Sequence, residues 1–366
     1  MKLANAGKRK GAILVFVLAL IVFLSVLCIR LMEETVQELR HVSQYHRRDD
    51  LRVHAYSALD IAAGVLNEFK LIEGNLYEPQ QGWGDPVAWS GLSPLDKTVR
   101  WSIRLVDESA KIHRAIVSKK DLISMFAQMH GGGEKRVDED DGEPYYDAWM
   151  DWEDPDENER EEGAEDNYYE KMDPPYFTPG KKVQNFEEFR LIKGFAYDPD
   201  EAEYSGLFFA ENGSETRNLK NFRSAFSFFN QGPLNINGVS FYLKKFLCGD
   251  DDSLYEEIAA GPRFGSEGEP YYTNLSDPNL AQLQSIRGIK LTTSATLFRI
   301  EVSISKGKAE FKLHAILSTD LSSGKPGQQK NSNTSQGKGK PRNSQNVALK
   351  YPFRILAIRE NENLID

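Results

Sequence analysis

The sequence predicts an α+β protein: a very long N-terminal helix packed on a small antiparallel sheet, with a large, mainly helical insertion. Three observations predict it. Ala12 to Ala63 contains neither Gly nor Pro. Strand-like alternation occurs early, over 99–106, and again late, over 296–317. Between them lie segments with three- and four-residue apolar spacing that end at Gly.

The first element opens on Lys8-Arg9-Lys10-Gly11 and continues into the uncharged run Ala12 to Ile29. As a helix that run is about 27 Å long, close to the ~30 Å hydrocarbon thickness of a bilayer. The basic leader favours the cytoplasmic side and directs the remainder outward. A cleaved secretory signal has a shorter apolar core and a small-residue cleavage site. Here the run ends in Cys28-Ile29-Arg30-Leu31-Met32-Glu33, so a retained single span fits better. The helix carries on beyond it. Tyr56, Leu59, Ala62, Ala63, Leu66 and Phe69 form one apolar stripe, opposite charged residues such as Glu38, Arg47, Asp50 and Arg52. One helix of about 80 Å results, half in lipid and half on a soluble domain.

Residues 70–98 are rich in Gly and Pro and read as loop. Val99 to Val106 reads as a half-buried strand, Asp107 to Lys111 as a turn, and Ile112 to Ile116 as a second strand completing a hairpin. Asp121 to Met129 has a helical face of Leu122, Phe126 and Met129. Residues 131–182 differ in composition. Their acidic tract, Asp138 to Asp166, contains Arg160 as its only basic residue. Tyr145, Tyr146, Trp149, Trp152, Tyr168 and Tyr169 are interleaved with it. A solvated acidic loop has few aromatics, so parts of this tract should pack against the domain.

Val183 to Phe195 has helical spacing at Phe186, Phe189 and Ile192 and a Gly194 stop. Leu280 to Ile289 repeats the pattern, and both resemble helix-hairpin-helix units. Phe241 to Leu247 is a further helix. Thr296–Ile304 and Ala309–Leu317 form a hairpin across Lys306-Gly307-Lys308, and Lys350–Ile358 is a last strand. Residues 321–347, rich in Ser, Gly, Lys, Asn and Gln, read as a disordered basic loop. The organisation is therefore a leader (1–11), a membrane helix (12–29), a first part of the sheet domain (30–116), the helical insertion (117–290) and the last strands (291–366).

Bulk composition narrows the function. With 366 residues, 40% hydrophobic and 27% charged, the chain is globular and long enough for two or three packed domains. A net charge of −10 disfavours a nucleic-acid binder, which needs clustered Lys and Arg. The helix-hairpin-helix-like tips offer only Lys193, Arg287 and Lys290 as cations. Cys28 and Cys248 are the only cysteines, so no disulfide framework or thiolate metal site exists. No HExxH pattern and no nucleophile elbow occurs, and no enzymatic reading stands. Asp151, Asp154, Asp156, Glu165 and Asp166 offer the clustered carboxylates that calcium takes. The spacing is not that of an EF-hand, and a solvated acidic surface is the alternative.

A short basic leader ending in Gly, followed at once by an apolar run and a continuous helix, resembles a type IV prepilin signal. The resemblance implies a type IV pilin-like fold and cleavage by a prepilin peptidase between Gly11 and Ala12. The fifth residue of the mature chain is Phe16, where major pilins carry Glu. A buried charge without its partner is costly, so Phe16 suggests a subunit at a filament tip. Further along come Asp151-Trp152-Glu153-Asp154, Gly163-Ala164-Glu165-Asp166-Asn167-Tyr168-Tyr169, Pro174-Pro175-Tyr176 and Phe186 to Gly194-Phe195. In that order they resemble the minor pseudopilin K (general secretion pathway protein K) family of type II secretion. The stretch 131–143 and the loop 321–347 depart from it.

That resemblance implies a non-enzymatic subunit of the bacterial inner membrane, single-pass, with its soluble part in the periplasm. It would cap the tip of a pseudopilus with I-type and J-type minor pseudopilins, help initiate assembly, and contact secreted cargo or the secretin. It also implies calcium in the insertion. A minor pilin or membrane-anchored binding module of a related type IV filament, for adhesion or DNA uptake, is the alternative.

Overall fold

The computed structural model describes residues 7–132, 138–249, 251–262, 270–319 and 353–361. The leader residues 1–6 and the loop 321–347 lie outside them. Helix α1, Gly7–Glu73, is one uninterrupted element of 67 residues, about 100 Å long at 1.5 Å per residue. It overruns both expected ends, and Gly74 at φ +79° closes it. Val15–Val36 is a window of mean hydropathy 2.8 with none of it buried, long and apolar enough to cross a membrane. The second half is different. Leu51, Ala55, Ala58, Leu59, Ala62, Leu66 and Phe69 are buried. Their spacing places them on one face, and three alanines let the sheet approach closely.

The sheet against that face has the order β1-β4-β5-β6, antiparallel throughout. Its strands are β1 (Val99–Asp107), β4 (Leu297–Lys306), β5 (Ala309–Ser318) and β6 (Arg354–Glu360); β2 (Leu234–Asn235) and β3 (Leu291–Thr292) form a separate parallel pair. Phe298, Ile300, Val302 and Ile304 alternate inward from β4, and Phe311, Leu313, Ala315 and Leu317 from β5. The β4–β5 turn is Gly307-Lys308, with Gly307 at φ +62°. Before β1, the short helix α2 (Pro86–Ser90) starts at Asp85, whose Oδ1 accepts the Ala88 N–H at 3.0 Å.

The expected early hairpin does not form. β1 pairs with β4 instead, Asp107 opposite Phe298. Residues 112–116 contain a single 3-10 turn, Arg114–Ile116, capped by His113. The reason lies in residues 107–111. Asp107 accepts the Ser109 N–H at 2.9 Å. Glu108 turns inward, fully buried, to meet Lys111 Nζ at 3.1 Å and Arg299 Nη2 at 2.6 Å. This anchored turn steers the chain off the sheet. Ile112 then exchanges backbone hydrogen bonds with Ala225 and Ser227 in the insertion.

The insertion contains α3 (Lys119–His130), α4 (Glu143–Glu153), α5 (Asp166–Tyr169), α6 (Arg217–Ala225), α7 (Phe241–Cys248), α8 (Asp252–Ala260) and α9 (Pro278–Arg287). The 183–195 segment is a 3-10 helix, Phe186–Leu191, rather than an α-helix. Neither of the two Gly-terminated units continues into a second helix. After Gly194, Ala196 bridges to Phe209. After Gly288, the chain enters β3, and Leu234 N–H donates to Lys290 O at 2.9 Å. Backbone pairing has taken the place of a hairpin-helix.

The insertion has its own core. Trp149, Phe189, Phe195, Phe208, Phe222 and Phe226 are buried, with ring centroids 4.7 Å apart for Phe222–Phe226 and 4.8 Å for Phe195–Phe208. The acidic tract thus supplies core aromatics, as its composition required.

The insertion joins the sheet at the end of α1 remote from the apolar window. There Asn235 Nδ2 of the insertion donates to Tyr77 O at 2.8 Å, and Tyr271 stacks on the Tyr77 ring at 5.1 Å. Nearer the window, Arg52 and Tyr56 both reach Glu360 Oε1 of β6, at 2.8 and 2.7 Å.

Candidate cation site in the helical insertion

Helix α4 has Pro144 in its first turn and directs Tyr145, Ala148, Trp149 and Trp152 into the core. The same helix brings Asp151 to its inner side, with no exposed surface. Asp154 follows as the residue that ends the helix. The chain then loops back over Asp151. Its Oδ2 accepts the backbone N–H of Arg160 at 3.1 Å and of Ala164 at 3.0 Å. Gly163 lies so close that a Cβ there would overlap Asp151 Oδ2. This loop delivers Glu165, which precedes α5.

Asp151, Asp154 and Glu165 converge, each offering an oxygen, all within 4.8 Å of one another. Glu165 is 2% exposed, and neither of its carboxylate oxygens has a hydrogen-bond partner among the described residues. Asp154 Oδ1 is likewise unpartnered. Buried carboxylate oxygens are normally satisfied. Burial, followed by the charges of Asp151, Asp154, Asp166 and Asp156, pushes the Glu165 carboxyl up to about 7. Burial also raises Asp151, against the pull of the Arg160 hydrogen bonds.

Among the described residues, one cation pairs with these carboxylates. Arg160 Nη1 donates to Asp151 Oδ1 and, at 2.7 Å, to Asp154 Oδ2. It does not reach Glu165. The two other sequence candidates point elsewhere. Asp156 Oδ1 accepts from Asn158 N–H and Nδ2 at 2.9 and 2.6 Å, within its own turn. Asp166 Oδ1 accepts from Thr178 N–H and Oγ1 at 2.8 and 2.9 Å. Both add negative potential without joining the cluster.

The donor set is oxygen only, which suits a hard cation better than zinc or copper. The unpartnered, buried oxygens of Glu165 and Asp154 fit such an ion. Sequence reasoning did not foresee the roles of Arg160 and Gly163. The signal for Arg160 was its standing as the lone basic residue of the tract.

At the other end of the chain, Gly11 and Ala12 lie within α1. Phe16 is 70% exposed on the apolar part of that helix.

Comparison with known proteins gives two findings. Residues 133–200, which contain the whole carboxylate cluster, match the family described as type II secretion system (T2SS), protein K. A chain in the crystal structure of the GspK-GspI-GspJ complex from the type 2 secretion system of enterotoxigenic Escherichia coli has a similar fold. The TM-score is 0.52 at 13% identity, covering 88% of this chain and 100% of that one. No curated protein gives a significant match.

Proposed function

We propose, from the match of residues 133–200 to the type II secretion system protein K family, that this chain is a minor pseudopilin at the tip of the secretion pseudopilus. The role is structural and not enzymatic. The apolar window of α1 holds the subunit in the inner membrane until it enters a bundle of similar helices, with its soluble part in the periplasm. Cleavage after Gly11 by the prepilin peptidase frees Ala12, and Phe16 marks a subunit that needs no acidic partner below it. I-type and J-type minor pseudopilins are its neighbours, and with them it helps to initiate assembly for export across the outer membrane. Secreted cargo and the secretin are the partners expected above the tip.

One observation carries the capping role. The insertion sits at the end of α1 farthest from the apolar window, where its Asn235 Nδ2 donates to Tyr77 O and its Tyr271 ring stacks on Tyr77. A long-helix subunit stacked above would collide with it. Co-expression with the I-type and J-type pseudopilins is the test. A stable ternary complex is expected on co-purification, together with loss of secretion on deletion. No complex, with secretion intact after deletion, would reject the role.

We also assign calcium to Asp151, Asp154 and Glu165. Bound there, the ion supplies charge neutralisation and ties α4 to the loop before α5. A ligand at about 100 times its Kd stabilises the folded state by about 2.7 kcal/mol. Calcium should therefore raise the thermal midpoint of the wild type, and Glu165→Gln should lose most of that rise. An equal rise in both proteins would remove Glu165 from the site.

A further inference from the structure

Among the described residues, the one cation paired with the carboxylate cluster covers only part of its charge. Arg160 Nη1 binds Asp151 and Asp154, while both oxygens of Glu165 stay unpartnered and buried. A monovalent guanidinium thus serves two of three carboxylates. Arg160 lies at the solvent side of the cluster. Its side chain is 38% exposed, whereas that of Asp151 is fully buried. Departure of the head group therefore disturbs no core packing. Exposed carboxylates flank it in sequence, at Glu157, Glu159, Glu161 and Glu162, and offer surface partners once it leaves. The loop does not depend on the guanidinium alone. The backbone N–H groups of Arg160 and Ala164 hold Asp151 Oδ2 independently of the side chain.

We propose that Arg160 is a resident counter-cation that competes with the divalent ion for Asp151 and Asp154, and so sets the calcium affinity of this site. This rests on the calcium assignment above. With calcium scarce, the guanidinium screens the two aspartates and keeps the loop 154–164 closed on α4. With calcium abundant, the ion takes the oxygens and Arg160 swings to the acidic surface beside it. The competition is electrostatic, and Arg160 itself exchanges no proton in it, since a guanidinium stays charged throughout the working range. Arg160 is thus a residue that tunes occupancy, not a ligand.

The experiment titrates calcium chloride into the full chain in detergent, for wild type, Arg160→Gln and Arg160→Lys, by calorimetry and by thermal unfolding. Arg160→Gln is expected to bind calcium about tenfold more tightly or better, because removing a contact charge from a partly buried site is weakly screened. Its calcium-free midpoint should fall, and its calcium-induced rise should exceed that of the wild type. Arg160→Lys, which keeps a point charge but not the planar fork, should lie between them. Tighter binding by Arg160→Gln supports the proposal even if wild-type binding is too weak to detect. Equal or weaker binding by Arg160→Gln, with the wild type binding, overturns the competition and leaves the calcium assignment standing. No binding by any of the three overturns both.

Discussion

Asp107 sits where β1 turns into the insertion, and its surroundings make a pH prediction. Burial pushes its carboxyl up to about 7, although Ser109 and Asn235 donate hydrogen bonds to it. The neighbouring Glu108 charge adds to the rise, while Lys111 and Arg299 are occupied with Glu108. The folded value lies above the unfolded value of about 3.9. The folded state therefore keeps its proton longer, and this contribution to stability is complete below pH ~4 and is lost as pH rises through about 7. Urea midpoints at pH 5 and pH 8 should show a drop in the wild type that Asp107→Asn reduces. An identical drop in the variant would assign the slope to other groups. The carboxylate cluster teaches a related point about legibility. Five acids stood out in the sequence, and three converge. Asp156 and Asp166 were indistinguishable from them by spacing, because Asn158 and Thr178 decide where those two carboxylates point. That decision belongs to turns only the folded loop creates.

Among elements, α1 was the most legible. Its apolar stripe needs only helical periodicity, and Leu59, Ala62, Ala63, Leu66 and Phe69 are buried as that periodicity requires. The stripe extends further than expected, through Leu51, Ala55 and Ala58. Gly64 interrupts its propensity on the exposed side. A Cβ there meets nothing within 4 Å. Gly64→Ala should therefore stabilise the soluble domain by about 0.5–1 kcal/mol, read as a higher denaturant midpoint with an unchanged slope. A lower midpoint would mean that the site is crowded by a neighbour. The strand pairing was less legible. The alternation of β1 is local, but the identity of its partner is not. Ile112 to Ile116 is apolar enough to pair with it, and lost to β4 because Glu108 needs Arg299 and Lys111 inside. A buried ion pair between distant residues leaves no periodic trace.

For the molecule as a whole, the apolar window of α1 is unburied by any of the described residues. Nothing within Val15–Val36 is buried, and among the described residues of α1 the first buried side chain is Leu51. A chain lacking residues 1–36 should therefore be soluble and unfold cooperatively at a midpoint close to that of the full chain in detergent. Size-exclusion chromatography and thermal unfolding check this. A markedly lower midpoint would show that the membrane segment supports the fold. The general architecture was readable because its three parts differ in pattern: a Gly- and Pro-free helix, alternating strands, and Gly-punctuated helices between them.

The strand order also imposes a timetable on biosynthesis. Val99 pairs with Lys306 and Asp107 with Phe298, so when β1 emerges its neighbour in the sheet, β4, has not been made. Long-range pairing is slow because chain closure must precede the contacts that reward it. The intervening segment has its own aromatic core and can condense first, drawing the two strand ends together as it does so. Until then β1 is a bare edge, open to wrong pairing. Its alternate residues Arg100, Ser102 and Arg104 are exposed, and charge on a waiting strand is a defence against premature association.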